Sequence, residues 1–221
     1  MRARAVACVV RHAVRDFLAD ESGASLVEFS LVVTLFLFLL FGIVDFGRIG
    51  HAWVGANKAT QLAARLAAVR PPVCPAVPTR NARGTATTIL TYGSLCRAGS
   101  GVCADPGPSV CTTSTPGVTA RGLATAQEIF AAVRPLVPPG TTIGQMRYTY
   151  AFDPNLGFLG GPYVPMVTVE FTSVNFPFVS QLGAFVTALN GCPSDPLRGA
   201  LCMSGMSVSL PGEDLALGTD G

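Results

Sequence analysis

From Leu26 to Val44 the chain is apolar except for Glu28 and the weakly polar Ser30 and Thr34. At 1.5 Å per residue this run makes about 28 Å of helix, close to the roughly 30 Å hydrocarbon core of a bilayer. A helix in a soluble core would show a polar face at 3.6-residue spacing; Leu31 to Phe41 shows none, so the pattern predicts a membrane span. Asp45 and Arg48 close the run. Three residues apart, they share a helix face, which predicts a solvated surface pair, or else a contact with a partner helix. Beyond them Leu62, Leu66 and Val69 recur at helical spacing, with Gln61 and Arg65 turned away. The helix is therefore expected to run on to about Val69, where Arg70-Pro71-Pro72 stops it.

The pattern then changes. Residues 71–119 are rich in Pro, Gly, Ser and Thr and carry little periodicity, so they read as a loop region. Residues 120–134 predict a second helix, with Leu123, Ile129, Phe130 and Val133 on one side and Pro135 ending it. Three strands are predicted after it. Gln145–Phe152 alternates through Met146, Tyr148 and Tyr150. Val164–Phe171 sets Val167, Val169 and Phe171 on one face against Thr168 and Glu170 on the other. Met203–Leu210 is the third, preceded by a helix-like Val179–Leu189, and Phe176-Pro177-Phe178 reads as a turn. A small antiparallel sheet packed on the extended N-terminal helix is the consistent arrangement: an α+β fold of pilin type.

Composition agrees. Charged residues make up 13% of the chain, about half the usual share for soluble domains. A net charge of +2 and a single lysine, Lys58, argue against nucleic acid as a partner. Of seven cysteines, Cys8 precedes the apolar run, while Cys74, Cys96, Cys103, Cys111, Cys192 and Cys202 follow it. No C-x-x-C spacing occurs and only His51 accompanies these six, so neither a redox pair, a zinc ribbon nor any other metal site is indicated. Disulfides are the expectation, and with them an oxidising compartment. A loop with little apolar surface gains most from such cross-links. Six cysteines allow fifteen connectivities; Cys192–Cys202 is the favoured pair, with the other four cysteines pairing among themselves.

The cysteines also orient the span. Arg2, Arg4, Arg11 and Arg15 precede it, and Arg48, Lys58 and Arg65 follow, a slight bias toward an internal N-terminus. The outer cysteines point the same way. A cleaved secretory signal fits poorly, because the charged lead-in is long and no A-x-A follows Val44.

Glu28 stands out. A carboxylate near the start of a span is costly unless it lies at the interface or meets a positive charge. In Gly23-Ala24-Ser25-Leu26-Val27-Glu28-Phe29 it falls five residues after a glycine. A cut after Gly23 would leave a free ammonium on Ala24, about one helical turn from Glu28 or free to meet the glutamate of a neighbouring copy. Residues Glu21 to Ser30, then Phe41-Gly42-Ile43-Val44-Asp45-Phe46-Gly47-Arg48, then Asn57 to Ala68 resemble the N-terminal signature of the TadE-like family, pseudopilin-like proteins of tight-adherence (Tad/Flp) pilus systems. Thr34 departs from it, standing where a proline is common.

That resemblance implies processing by a prepilin peptidase between Gly23 and Ala24. It makes Glu28 the recognition and register residue; Phe29, Asp45 and Arg48 are the further candidate assembly residues. With the patterns above, the expected organisation is residues 1–23 as a cytoplasmic leader, 24–70 as the TadE-like membrane and extended helix, 71–119 as the loop region, and 120–221 as an α+β domain outside the cytoplasm. The expected location is the bacterial inner membrane, and the expected partners are other pilins, pseudopilins and Tad assembly proteins.

An enzyme is not expected. No G-x-S-x-G, H-E-x-x-H or Walker A loop is present. Asp153, Asp195, Glu213 and Asp214 sit beside Pro or Gly in turn-like stretches, and Tyr148, Tyr150 and Tyr163 read as sheet residues. No cofactor is implied. The expected function is that of a minor pseudopilin or pilus-assembly component. The alternative is a permanently anchored envelope protein with a ligand- or partner-binding module.

Overall fold

The computed structural model describes residues 23–87, 90–179, 200–203, 205–213 and 215. They fall into two compact units, Met1–Phe46 and Gly47–Gly221. One helix, α1 (Ala24–Val69), supplies the described part of the first unit and opens the second. The leader before Gly23 and the helix-like stretch after Val179 lie outside the described residues.

In the first unit the apolar side chains of α1, including Leu26, Phe29, Phe36, Phe41 and Phe46, are exposed. It is the one helix among the described residues long and apolar enough to cross a membrane. Its two weakly polar residues are satisfied within the helix. The Ser30 hydroxyl donates to the Val27 carbonyl at 2.8 Å, and that of Thr34 to the Ser30 carbonyl at 2.7 Å. Such back-bonding removes the cost of a bare hydroxyl in hydrocarbon.

The second unit is α+β. Its four-stranded antiparallel sheet has the order β1-β2-β3-β6, formed by β1 (Ser109–Cys111), β2 (Met146–Ala151), β3 (Met166–Phe171) and β6 (Met206–Pro211). A two-stranded sheet pairs β4 (Val174–Pro177) with β5 (Ala200–Met203). The register sets Tyr148 beside Val169 and Met146 beside Phe171. One sheet face is thus apolar and buried, as the alternation predicts. The other is polar: Arg147 pairs with Glu170, and the Thr168 and Ser209 hydroxyls are 2.7 Å apart. Cross-strand pairs of this kind stabilise a sheet by a few tenths of a kcal/mol to about 1 kcal/mol each.

The helices differ from expectation in which side chains they bury. α1 does end at Val69, and Gln61 and Arg65 face outward. Its buried stripe, however, is Ala56, Ala59, Thr60, Ala63, Ala64 and Ala67; Leu62 and Leu66 are only half-buried. Small residues let a helix backbone approach closely, and the volume is supplied instead by Tyr148, Tyr150, Phe171 and Met146 in the same core. Helix α2 (Ala120–Val133) adds Ala126, Ile129 and Val133, while Leu123 stays exposed. Thr119 caps α2 by accepting from the Gly122 N–H at 3.1 Å. Arg70 and Glu128 form an ion pair at 2.7 Å between the end of α1 and α2.

Three further expectations are corrected. The predicted strand Met203–Leu210 is two strands in two sheets, because Gly205 takes a left-handed φ of 84° between them. The predicted turn at Phe176-Pro177 is strand β4, where Pro177 sits at the strand end and needs no N–H for the ladder. The loop region contributes β1 to the main sheet, and it is tied to residues 157–163 by backbone bonds such as Asn81 N–H to the Gly161 carbonyl, 2.9 Å. Two disulfides staple it, Cys74–Cys111 and Cys96–Cys103, so these four cysteines pair among themselves. Cys192 and the Cys202 side chain lie outside the description.

Candidate assembly surface

Ala24 begins α1 and Gly23 immediately precedes it, exposed and with nothing within 4 Å of the place a Cβ would take. Glu28 and Phe29 follow on the same helix, both exposed. An exposed apolar face carrying one carboxylate is what packing among helices in a bilayer requires: lipid or another helix covers the face, and the charge seeks a cation or the interface. Glu28 and Phe29 thus lie in the first turns of α1, with Gly23 just before it.

Of the two residues expected as a solvated pair, Arg48 is exposed and Asp45 is not. Asp45 is 1% exposed. A carboxylate is stable in such surroundings only when it is engaged, and this one is. The Arg48 guanidinium lies 5.2 Å from the centroid of the Phe176 ring, a cation–π contact. Phe176 meets Phe178 edge to face at 5.6 Å. Arg48, His51 and Ala52 line a groove of about 270 Å³ with the proline-rich segment 135–139 and Phe176-Pro177. Phe176 and these prolines are the residues that sequence reasoning missed. Pro135 is legible as a helix stop, but nothing local connects it with Arg48.

Close approach in this part of the second unit depends on a glycine. A Cβ on Gly55 would lie 2.5 Å from the Leu136 carbonyl oxygen, so only glycine lets α1 lie against that backbone. In the first turn of α2, a Cβ on Gly122 would lie 2.6 Å from the Val73 carbonyl. Tyr150 then fixes the chain as it leaves α1, its hydroxyl oxygen accepting from the Val73 N–H at 3.1 Å.

The acids and phenols considered for chemistry have structural surroundings. Asp153 Oδ1 accepts from the Asn155 N–H at 2.8 Å and from its side-chain amide at 2.9 Å, an Asx turn. Glu213 is exposed, and its N–H donates to the Ala68 carbonyl at 3.0 Å near the end of α1. Asp195 and Asp214 lie outside the described residues. Burial raises the pKa of Tyr148 and lifts that of Tyr150 to about 12. Burial, then the charge of Asp105, raises that of Tyr163. Each phenol is held neutral across the physiological range.

Residues 23–65 match the family model described as TadE-like protein. No curated protein and no solved structure matches the chain.

Proposed function

From a chain whose residues 23–65 are TadE-like, we propose a minor pseudopilin or pilus-assembly component of a tight-adherence, Flp-type system, acting by helix packing and not by catalysis. The TadE-like segment supports a Tad pilus-associated component in general. The finer role rests on one observation: an unburied apolar helix that carries Glu28 five residues after Gly23. In this reading α1 spans the inner membrane with the leader in the cytoplasm and the second unit outside, where disulfides persist. Prepilin peptidase cuts after Gly23. The new Ala24 ammonium then meets a Glu28 carboxylate, its own or a neighbour's, and sets the axial register of packed helices; opposite charges at contact attract strongly where water is scarce.

The test begins with the N-terminus of the membrane-extracted protein. Ala24 at that position supports processing, whereas Met1 or Arg2 favours a permanently anchored binding protein. Glu28→Ala is then expected to leave membrane insertion intact and to reduce co-purification with pilus components and surface piliation. Piliation equal to wild type would overturn the register role.

A further inference from the structure

A second feature lies in the loop region, among residues the assembly reading does not use. Residues 80–83, 92–93 and 158–160 line a shallow cleft of about 650 Å³, with Arg80, Arg83, Tyr92 and Phe158 around it. Two aromatic rings are presented to solvent here: Tyr92 is 78% exposed and Phe158 is 41% exposed. One exposed aromatic on a surface is ordinary. Two such rings beside two guanidiniums give the cleft both apolar faces and cations.

Both rings are seated on glycine. A Cβ on Gly160, whose φ is +80°, would fall 2.5 Å from Tyr92 Cδ1, so the ring rests on bare backbone. The Phe158 ring covers Gly161 in the same way. The support is rigid. The Gly93 N–H donates to the Leu159 carbonyl at 2.9 Å, and the Leu159 N–H to the Ser94 carbonyl at 2.8 Å. Asn81, buried beneath, accepts from the Gly160 N–H and donates through its side-chain amide to the Pro162 carbonyl, each at 2.9 Å. The Cys96–Cys103 disulfide sits with Val102 and Leu159 in a small core of its own. A platform held in place before binding loses little conformational freedom on binding.

The cations are available. Arg80 is exposed, and neither it nor Arg83 forms an ion pair among the described residues. Arg83 donates one N–H to the Leu90 carbonyl at 2.7 Å, which orients its guanidinium and leaves further donors. We propose that this cleft binds an acidic polysaccharide. The apolar C–H face of one pyranose ring lies on Tyr92, and a uronate carboxylate accepts from Arg80 and Arg83, the planar fork suited to carboxylates.

Other occupants fit less well. A single-stranded nucleic acid needs a continuous cationic track along its phosphates, and this chain has a net charge of only +2 and one lysine. A peptide adding as a strand needs open backbone, but Arg80, Arg83 and Leu95 are already bridged to Pro162, Cys103 and Phe158.

The test uses the full chain in detergent micelles, titrated calorimetrically with galacturonate and mannuronate oligomers. At least one is expected to bind, and methyl esterification of that oligomer, which removes the carboxylate charge and its bidentate acceptor, is expected to weaken binding roughly tenfold or more. Tyr92→Ala and Arg80→Ala should each cost about tenfold, whereas Tyr92→Phe should stay within about threefold. Unchanged thermal midpoints would show that the exposed substitutions leave the fold intact. Failure of both oligomers to bind would overturn the proposal. So would binding indifferent to Tyr92→Ala or Arg80→Ala, or tighter binding of an oligothymidylate.

Discussion

The Tyr150 hydroxyl oxygen accepts a hydrogen bond from the Val73 backbone N–H at 3.1 Å, joining the second strand of the sheet to the chain just after the first helix ends. Both residues are buried. The neighbouring phenol, Tyr148, has among the described residues only the Met146 sulfur as partner, at 3.7 Å. The pair forms a natural contrast. Tyr150→Phe strands a buried N–H and is expected to cost about 1–3 kcal/mol, whereas Tyr148→Phe gives up a weak sulfur contact and should cost well under that. Urea unfolding of the two variants measures the difference. Equal losses would mean that the Val73 bond contributes nothing specific.

The same phenols predict the response to alkali. Burial raises both above the ordinary tyrosine value of 10, Tyr150 to about 12. Between the unfolded and folded values the native state holds more protons, so stability is fully present below about pH 10 and is lost as pH rises toward 12. The slope should approach about 1.4 kcal/mol per pH unit for each such tyrosine. Phenolate absorbance of these two residues should therefore appear together with unfolding, and Tyr150→Phe should flatten the slope. Titration of all tyrosines near pH 10 with the fold intact would contradict the assigned burial.

Much of this was legible because it is local. Met146, Tyr148 and Tyr150, like Val167, Val169 and Phe171, advertise a buried sheet face through period-two alternation, and the register then follows. The span and the Gly23–Glu28 spacing are likewise contiguous in the chain. What escaped depends on distance or on small side chains. The alanine stripe of the first helix has little hydrophobic contrast, so Leu62 and Leu66 dominated the periodicity although the backbone packs through Ala59, Ala63 and Ala67. The contact of Arg48 with Phe176, and the seating of Tyr92 on Gly160, join segments far apart in sequence. No spacing rule reaches them.

Glycines of the first helix separate packing from propensity. Gly50 has nothing within 4 Å of an added Cβ, so Gly50→Ala should stabilise the second unit by about 0.5–1 kcal/mol through helix propensity. Gly55→Ala places a Cβ 2.5 Å from a backbone oxygen and is expected to destabilise by about 1–3 kcal/mol despite the same propensity gain. Thermal midpoints of the two variants should move in opposite directions. A stabilising Gly55→Ala would show that the Leu136 segment does not lie against this helix.

The two disulfides should differ in weight. Cys74–Cys111 closes a sequence separation of 37 and ties the chain leaving the first helix to the sheet, whereas Cys96–Cys103 closes a separation of 7. Loop-closure entropy assigns roughly 4 kcal/mol to the first and roughly 2 kcal/mol to the second. The Cys74→Ala/Cys111→Ala double variant should accordingly lose the larger part of the unfolding free energy in denaturant titrations. The Cys96→Ala/Cys103→Ala variant should keep the main core, since its cysteines belong to the smaller cluster with Val102 and Leu159. Its local effect should fall on the neighbouring loop instead, seen as faster amide exchange at Gly93 and Leu159, whose backbone bond joins the two sides. If removing the short bridge destabilised the whole unit as much as removing the long one, the small cluster would have to be an integral part of the main core.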